Sequence, residues 1–394
     1  MVGYGRIFDM RIAISTARQA HYKLPSNSFA RRGHSVTIYS STPVYRFRGF
    51  DSSLGHRFVP APVTLFNALT RIAPPVFLNE FDATMYDHMA ALRMEECELF
   101  LGAASSSLST GKAVQRQGGA FVLDRACPDI RYQQSMLAEE AKKAGGQFHK
   151  HAQWFLERQV EEYEQADFLL MPSNYSRNSY PEHIRNKTIL APLCGRTRIL
   201  PRVRKPAGSP FVVGVVGGDP LRKGYLYLLQ AWKDLALPNA QLKIRSGAGY
   251  RKFSVLAKLV DEQPNVSIIS YIPDISEFYA QCDAFILPSV DDGFGMALFE
   301  AMANGVPSIA THTTGASELL EGGHDALLID AWSVEQIKKS LSALYESAEL
   351  REQLGLSGQA KVSSLMEGET ARHYEQGIDH LLAAVQPRAA GSMA

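Results

Sequence analysis

The chain has 394 residues with 41 Lys and Arg against 40 Asp and Glu, 45% hydrophobic and 21% charged, the balance of a soluble globular protein long enough for two cores. No uncharged apolar run approaches the roughly 18 to 20 residues that span a bilayer, and Cys97, Cys127, Cys194 and Cys282 are too scattered for a disulfide framework or a zinc site. Arg6, Asp9 and Arg11 surround a short apolar patch in place of a signal-peptide core, so the expectation is a protein made and kept in the cytoplasm.

The charge is unevenly placed. Residues 1–200 hold 24 Lys and Arg against 18 Asp and Glu, whereas residues 201–394 hold 17 against 22. A basic first half suits an anionic acceptor or peripheral contact with an anionic membrane face, and a solvated surface accounts for it as well. Nucleic acid is not expected, because no helix-turn-helix, zinc or aromatic RNA-binding motif is visible.

In chain order, short apolar runs at 11–15, 35–40, 98–101, 120–124, 167–171 and 188–192 read as strands, with helical stretches at 19–32, 80–96 and 148–165 between them. Such alternation predicts a parallel sheet with helices on both faces. Arg18, His21, Tyr22 and Lys23 crowd the first turn, where they would hold an acceptor or a phosphate; His21 reads equally well as an ordinary helix histidine. After the strand AFVLD come Asp124, Arg125 and Asp129. An aspartate there would bind sugar hydroxyls or the acceptor, Arg125 would contact phosphate, and Asp129 is the preferred acceptor-side acid; a salt-linked structural cluster is the competing account.

Phe47, Phe50, Phe66, Ile72 and Phe77 lie near Arg46, Arg48 and Arg71, a pattern that suits shallow membrane contact or a lipid-linked acceptor. Pro74 and Pro75 interrupt any long helix, which favours core packing or an acceptor loop. The proline- and charge-rich stretch 200–210 reads as an interdomain linker.

The strand pattern restarts at 211–216 and continues at 242–247, 266–270, 284–288, 307–311 and 326–330, before a helical region at 333–385. Between the first two strands, Gly217 and Gly218 lead to Arg222 and Lys223 at a helix start. Two cations beside a helix N-terminus would clamp a diphosphate; a surface pair is the plainer reading. Gly247, in a lone GxG, would form a wall of the same pocket, although that motif is weak by itself.

The stretch 288–315, PSVDDGFGMALFEAMANGVPSIATHTTG, says most. An apolar strand ends at Pro288, Gly293 and Gly295 allow a tight turn, and a helix expected from near Phe294 aims its free N–H groups, with Met296 and Ala297 in its first turn, at the strand edge. A phosphate is the natural guest there. Asp292 would lie beside the phosphate's far substituent, and Glu300, about two turns into the helix, would accept from a diol such as a ribose. A capped helix with a solvated glutamate is the alternative.

These residues resemble the E-x7-E segment of the retaining glycosyltransferases of family four, usually EGFGxxxxEAMAxGxPVIAT, over about twenty-five positions. The resemblance implies an α/β chain of two Rossmann-like doubly wound domains facing a central cleft, the GT-B fold. It implies an acceptor-binding domain at 1–203, a nucleotide-sugar-binding domain at 204–368 and a final helix at 369–394 that crosses back. It gives Asp292 the sugar hydroxyls, Glu300 the ribose and Lys223 the diphosphate. The backbone of Tyr271, Ile272 and Pro273 would meet the base, whose identity stays open. Three departures stand out: Asp292 replaces a glutamate, Gly217 and Gly218 occupy the place of a loop arginine, so that either Arg222 substitutes for it or the second cation is missing, and no histidine follows AFVLD.

The activity so implied is retaining, metal-independent transfer from a nucleotide diphosphate sugar to a hydroxyl acceptor, without a cofactor. The acceptor would be a glycan or lipid-linked glycan of cell-envelope polysaccharide synthesis. A non-catalytic nucleotide-sugar-binding protein, an epimerase and a phosphorylase are the alternatives.

Overall fold

A computed structural model describes residues 9–17, 22–43, 50–61, 76–193, 206, 208–270, 272–367 and 369–392. Arg18, His21, Tyr271, the segment with Arg46, Phe47, Arg48, Phe66, Arg71, Ile72, Pro74 and Pro75, Cys194 and most of the linker with the 203/204 boundary lie outside the described residues.

Seven parallel strands form the first sheet: β1 Arg11–Thr16, β2 Ser35–Ser40, β3 Gly55–Phe58, β4 Leu99–Ala103, β5 Ala120–Asp124, β6 Phe168–Met171 and β7 Thr188–Leu190, in the order β3-β2-β1-β4-β5-β6-β7. Six more form the second: β8 Phe211–Val216, β9 Ala240–Arg245, β10 Val266–Ile269, β11 Ala284–Leu287, β12 Ser308–Thr311 and β13 Leu327–Ile329, in the order β10-β9-β8-β11-β12-β13. Strand order reverses between β1 and β4 and between β8 and β11. Ligands of open α/β sheets bind outside the strand C-termini at such points.

The central strands are near-continuous apolar runs because helices cover both faces. In the second sheet Val213, Val215, Leu242 and Ile244 point to the helices Tyr225–Leu235 and Val334–Glu346. Their neighbours Val212, Phe285, Leu287 and Ala310 point instead to Phe278, Leu298 and Met302, as the two-residue strand period requires. The first sheet is covered on one face by Tyr374, Ile378, Leu381, Leu382 and Val385 of the helix Glu369–Ser392, so the chain's last helix packs on its first unit. Arg32 ties that helix down through Asp379 at 2.7 Å and through Glu375, and Arg31 adds a 2.8 Å pair with Glu375.

Element ends differ from expectation where local chemistry intervenes. The preceding helix closes at Gly145, φ 78°, and the stretch expected to be helical from 148 begins only at Gln153, with Ala152 at its N-cap. The Glu80 carboxylate then receives the Ala152 N–H at 3.2 Å. Strand β3, GHRF, has no apolar run to announce it and forms a half-exposed edge. Among the described residues no helix is long and apolar enough to cross a membrane, and Cys97, Cys127 and Cys282 form no disulfide.

Candidate active site

The loop after β8 is shaped by its glycines. A Cβ at Gly217 would come within 2.6 Å of Lys223 Cγ, so bare backbone there lets the lysine stem lie across the turn. Asp219 Oδ1 receives the N–H groups of Leu221 (3.1 Å) and Arg222 (3.2 Å), turning the chain towards the helix Tyr225–Leu235. Gly224 caps that helix at φ 63°, where a Cβ would sit 2.0 Å from the Pro288 carbonyl oxygen. The Val290 N–H donates to Arg222 O at 2.8 Å, which stitches this loop to the one after β11.

The acidic loop is held from its other side. Asp292 N donates to Thr313 O at 3.0 Å, Gly315 N to Asp292 O at 2.9 Å and Ala316 N to Phe294 O at 2.7 Å. Gly295, at φ 88°, caps the helix Met296–Ala303. The helix therefore starts two residues later than expected, with buried Phe294 left in the turn. Lys223 Nζ and Asp292 Oδ2 meet in an ion pair in front of this helix start.

Asp291, next door, faces the opposite way. It is fully buried and accepts from Arg222 Nε at 2.9 Å, from Gln133 Nε2 at 2.6 Å and from the Tyr175 hydroxyl at 3.4 Å. The structure thus divides the expected pair of cations. Lys223 stands at the helix start, whereas Arg222 is drawn into the contact between the units by Asp291, a residue that the sequence pattern does not single out.

Glu300 is held by a second missed residue, Tyr279, whose hydroxyl donates to Oε2 at 2.9 Å and also contacts Ala297 O at 3.3 Å. Burial raises the Glu300 carboxyl above its ordinary range, opposed by the Tyr279 hydrogen bond and the Arg245 charge. Arg245 ends β9, and its Nε is buried without a hydrogen-bond partner among the described residues. A basic residue closing an otherwise alternating strand beside β8 was the available signal. Beside it, a Cβ at Gly218 or Gly247 would meet nothing within 4 Å, so both glycines border open space. Ile272 and Pro273 lead into the helix Ile275–Tyr279, capped by Asp274 through Ser276 N at 2.9 Å.

The first unit closes on Gly293. Ser173 Oγ donates to Gly293 O at 2.6 Å, and a Cβ on Gly293 would fall 1.7 Å from the Ala126 carbonyl oxygen. Asp124, the last residue of β5, is pushed up to about 6 by burial, against a hydrogen bond from Tyr22. Two expectations need correction. Arg125 is 4% exposed and points inward, donating to the Tyr180 hydroxyl (2.9 Å) and Gln159 Oε1 (3.1 Å), so its guanidinium is held inside the first unit and not presented at the surface. Asp129, 3% exposed, caps the helix Ile130–Lys143 through Arg131 N at 2.7 Å and receives Arg131 Nη2 (2.8 Å) and the Tyr163 hydroxyl (2.9 Å). With those donors satisfied inside the fold, Asp129 is a structural cap and not an acid presented to an acceptor.

Residues 197–361, which contain Lys223, Arg245, Asp292 and Glu300, match the family described as Glycosyl transferases group 1. Over 167 residues, 41% of this chain and 44% of the relative, the sequence is 27% identical to the capsular polysaccharide biosynthesis glycosyltransferase CapM of Staphylococcus aureus. The chain spans about half or less of the length of such curated relatives. Sucrose-phosphate synthase from Thermosynechococcus elongatus superposes with a TM-score of 0.69 at 17% identity, covering 95% of this chain and 100% of that one. The fold is GT-B. Anabaena HepE, solved in complex with UDP and glucose, has a TM-score of 0.68 at 14% identity, covering 95% of this chain and 100% of that one. Lys223, Asp292, Gly293 and Glu300 all follow the C-terminal ends of β8 and β11, on either side of the second sheet's switch point.

Proposed function

We propose that this chain is a retaining, metal-independent glycosyltransferase that moves a sugar from a nucleotide diphosphate sugar to a hydroxyl acceptor. One observation carries the reading: Lys223 and Asp292 meet in front of the helix Met296–Ala303, with Glu300 further along the same helix. On this reading the diphosphate enters between them, taking Lys223 Nζ and the N–H groups at the helix start, while Asp292 is released to the sugar hydroxyls and Glu300 holds the ribose.

Cleavage of the bond between the sugar C1 and the phosphate oxygen leaves its electron pair on the nucleoside diphosphate, where Lys223 and the helix N-terminus stabilise the new charge. The acceptor oxygen then bonds to the oxocarbenium-like C1 on the same face, and its proton passes to the leaving phosphate oxygen. Retention rests on the E-x7-E resemblance, and the positive charge of Lys223 and the helix supports a reaction without a metal. The likeness to CapM and the basic first half support a glycan or lipid-linked glycan acceptor of cell-envelope polysaccharide synthesis, reached from the inner membrane face.

Calorimetry with a panel of nucleotide sugars, followed by an assay for nucleoside diphosphate release with glycan acceptors, tests the proposal. Acceptor-dependent release is expected. Tight binding with no release would replace it with a non-catalytic nucleotide-sugar-binding protein.

A further inference from the structure

Two unmet hydrogen-bonding demands lie on the same face of the second sheet, near the end of β9. Glu300 receives Tyr279 at Oε2, and no hydrogen bond to its Oε1 exists among the described residues. Arg245 pairs in register with Val216, whose side chain packs with the cluster around Phe278, Tyr279 and Phe299. Paired residues of parallel strands share a face, so the arginine leaves the sheet towards the helices that carry Tyr279 and Glu300. Its charge acts on both groups, yet its buried Nε has no hydrogen-bond partner among the described residues.

The ligand group that satisfies both atoms is constrained. An ionised carboxylate only accepts and a guanidinium only donates. A phosphate oxygen would suit Arg245 but be repelled by Glu300, and a base carbonyl would leave Oε1 unpaired. A hydroxyl meets both demands, because it donates its proton to one neighbour and accepts from the other.

We infer that Arg245 is a specificity-determining residue of the nucleotide site, its Nε–H donating to a ribose hydroxyl whose own proton goes to Glu300. Tyr279 acts as a positioning residue that holds the carboxylate for this exchange. The inference rests on the nucleotide-site reading above and extends it: the chain selects nucleotides by their ribose diol, apart from their phosphates.

The test is calorimetric binding of UDP, GDP and ADP and of their 2′-deoxy and 3′-deoxy counterparts to the full chain. Hydrogen bonds to charged groups predict that the wild type prefers the ribose forms by roughly tenfold to a hundredfold at one of the two positions. Arg245→Met loses that preference, whereas Lys223→Ala binds all forms more weakly and keeps it. An unchanged preference in Arg245→Met overturns the inference. So does a wild type that binds ribose and both deoxy forms equally, a readout that needs no variant. A wild type that binds none of the nucleoside diphosphates overturns the nucleotide-site reading and this inference together.

Discussion

Lys223 and Asp292 neutralise each other at the head of the helix Met296–Ala303, with their side chains only 17% and 13% exposed. The cation proposed for the diphosphate and the acid proposed for the sugar are thus each other's partners until a donor separates them. The pairing keeps both groups at the cleft without leaving a lone charge partly buried.

Removing the cation should be felt most in the transition state, where the leaving diphosphate gains charge. Lys223→Ala is expected to lower turnover by about a hundredfold to a thousandfold, the scale of one electrostatic stabiliser. Single-turnover kinetics of nucleoside diphosphate release measures this directly. Near wild-type turnover would remove Lys223 from the mechanism.

Asp291 is expected to matter for stability where Asp292 matters for transfer. It is fully buried and balances Arg222, so Asp291→Ala strands a largely buried cation. Loss of one partner from a buried pair costs about 3 to 5 kcal/mol. Urea denaturation followed by fluorescence should show the first unfolding transition at clearly lower denaturant, and an unshifted midpoint would contradict the assignment.

Gly293 tests how closely the two units must approach. A methyl group there would sit 1.7 Å from the Ala126 carbonyl oxygen and 2.8 Å from its carbon, both of them backbone atoms. Gly293→Ala should widen the cleft, raising the radius of gyration in small-angle scattering and suppressing transfer. Unchanged scattering together with an unchanged rate would show that the contact is dispensable.

Asp124 sets a pH dependence whose sign follows from its environment. Burial lifts its carboxyl from an ordinary value of 3.8 to about 6 in the folded protein. Between those values the folded chain holds a proton that the unfolded chain has released, so this group's contribution makes stability fall as pH rises through the window and level off above it. Asp124→Asn removes that loss. Its melting temperature relative to wild type should therefore climb between about pH 4 and pH 6.5, and a difference constant across that range would contradict the raised carboxyl.

The layers of the fold were legible because buried parallel strands are written as continuous apolar runs. AFIL and SIAT bracket the Glu300 helix and pair as β11 and β12. The polar edge strand β3 lacks that signature and went unseen. At the site, residue type was readable but side-chain direction was not. Asp291 and Asp292 look alike in the sequence, yet one turns to the contact between the units and the other to the cleft. Asp129 and Arg125 have the right chemistry after the right strand, and both turn inward to hydroxyls that only the folded chain brings near. Tyr279 reaches Glu300 from 21 positions away, a contact that no local pattern records.

The most direct test of the mechanism is the anomeric configuration of the product. Wild-type protein would be incubated with an α-linked nucleotide sugar and a glycan acceptor, and the new linkage read by proton NMR alongside the nucleoside diphosphate released. Retaining transfer on the Lys223 and Asp292 wall is expected to give an α-linked product in equal amount to the nucleoside diphosphate. A β-linked product, or nucleotide sugar bound and left intact, would contradict it.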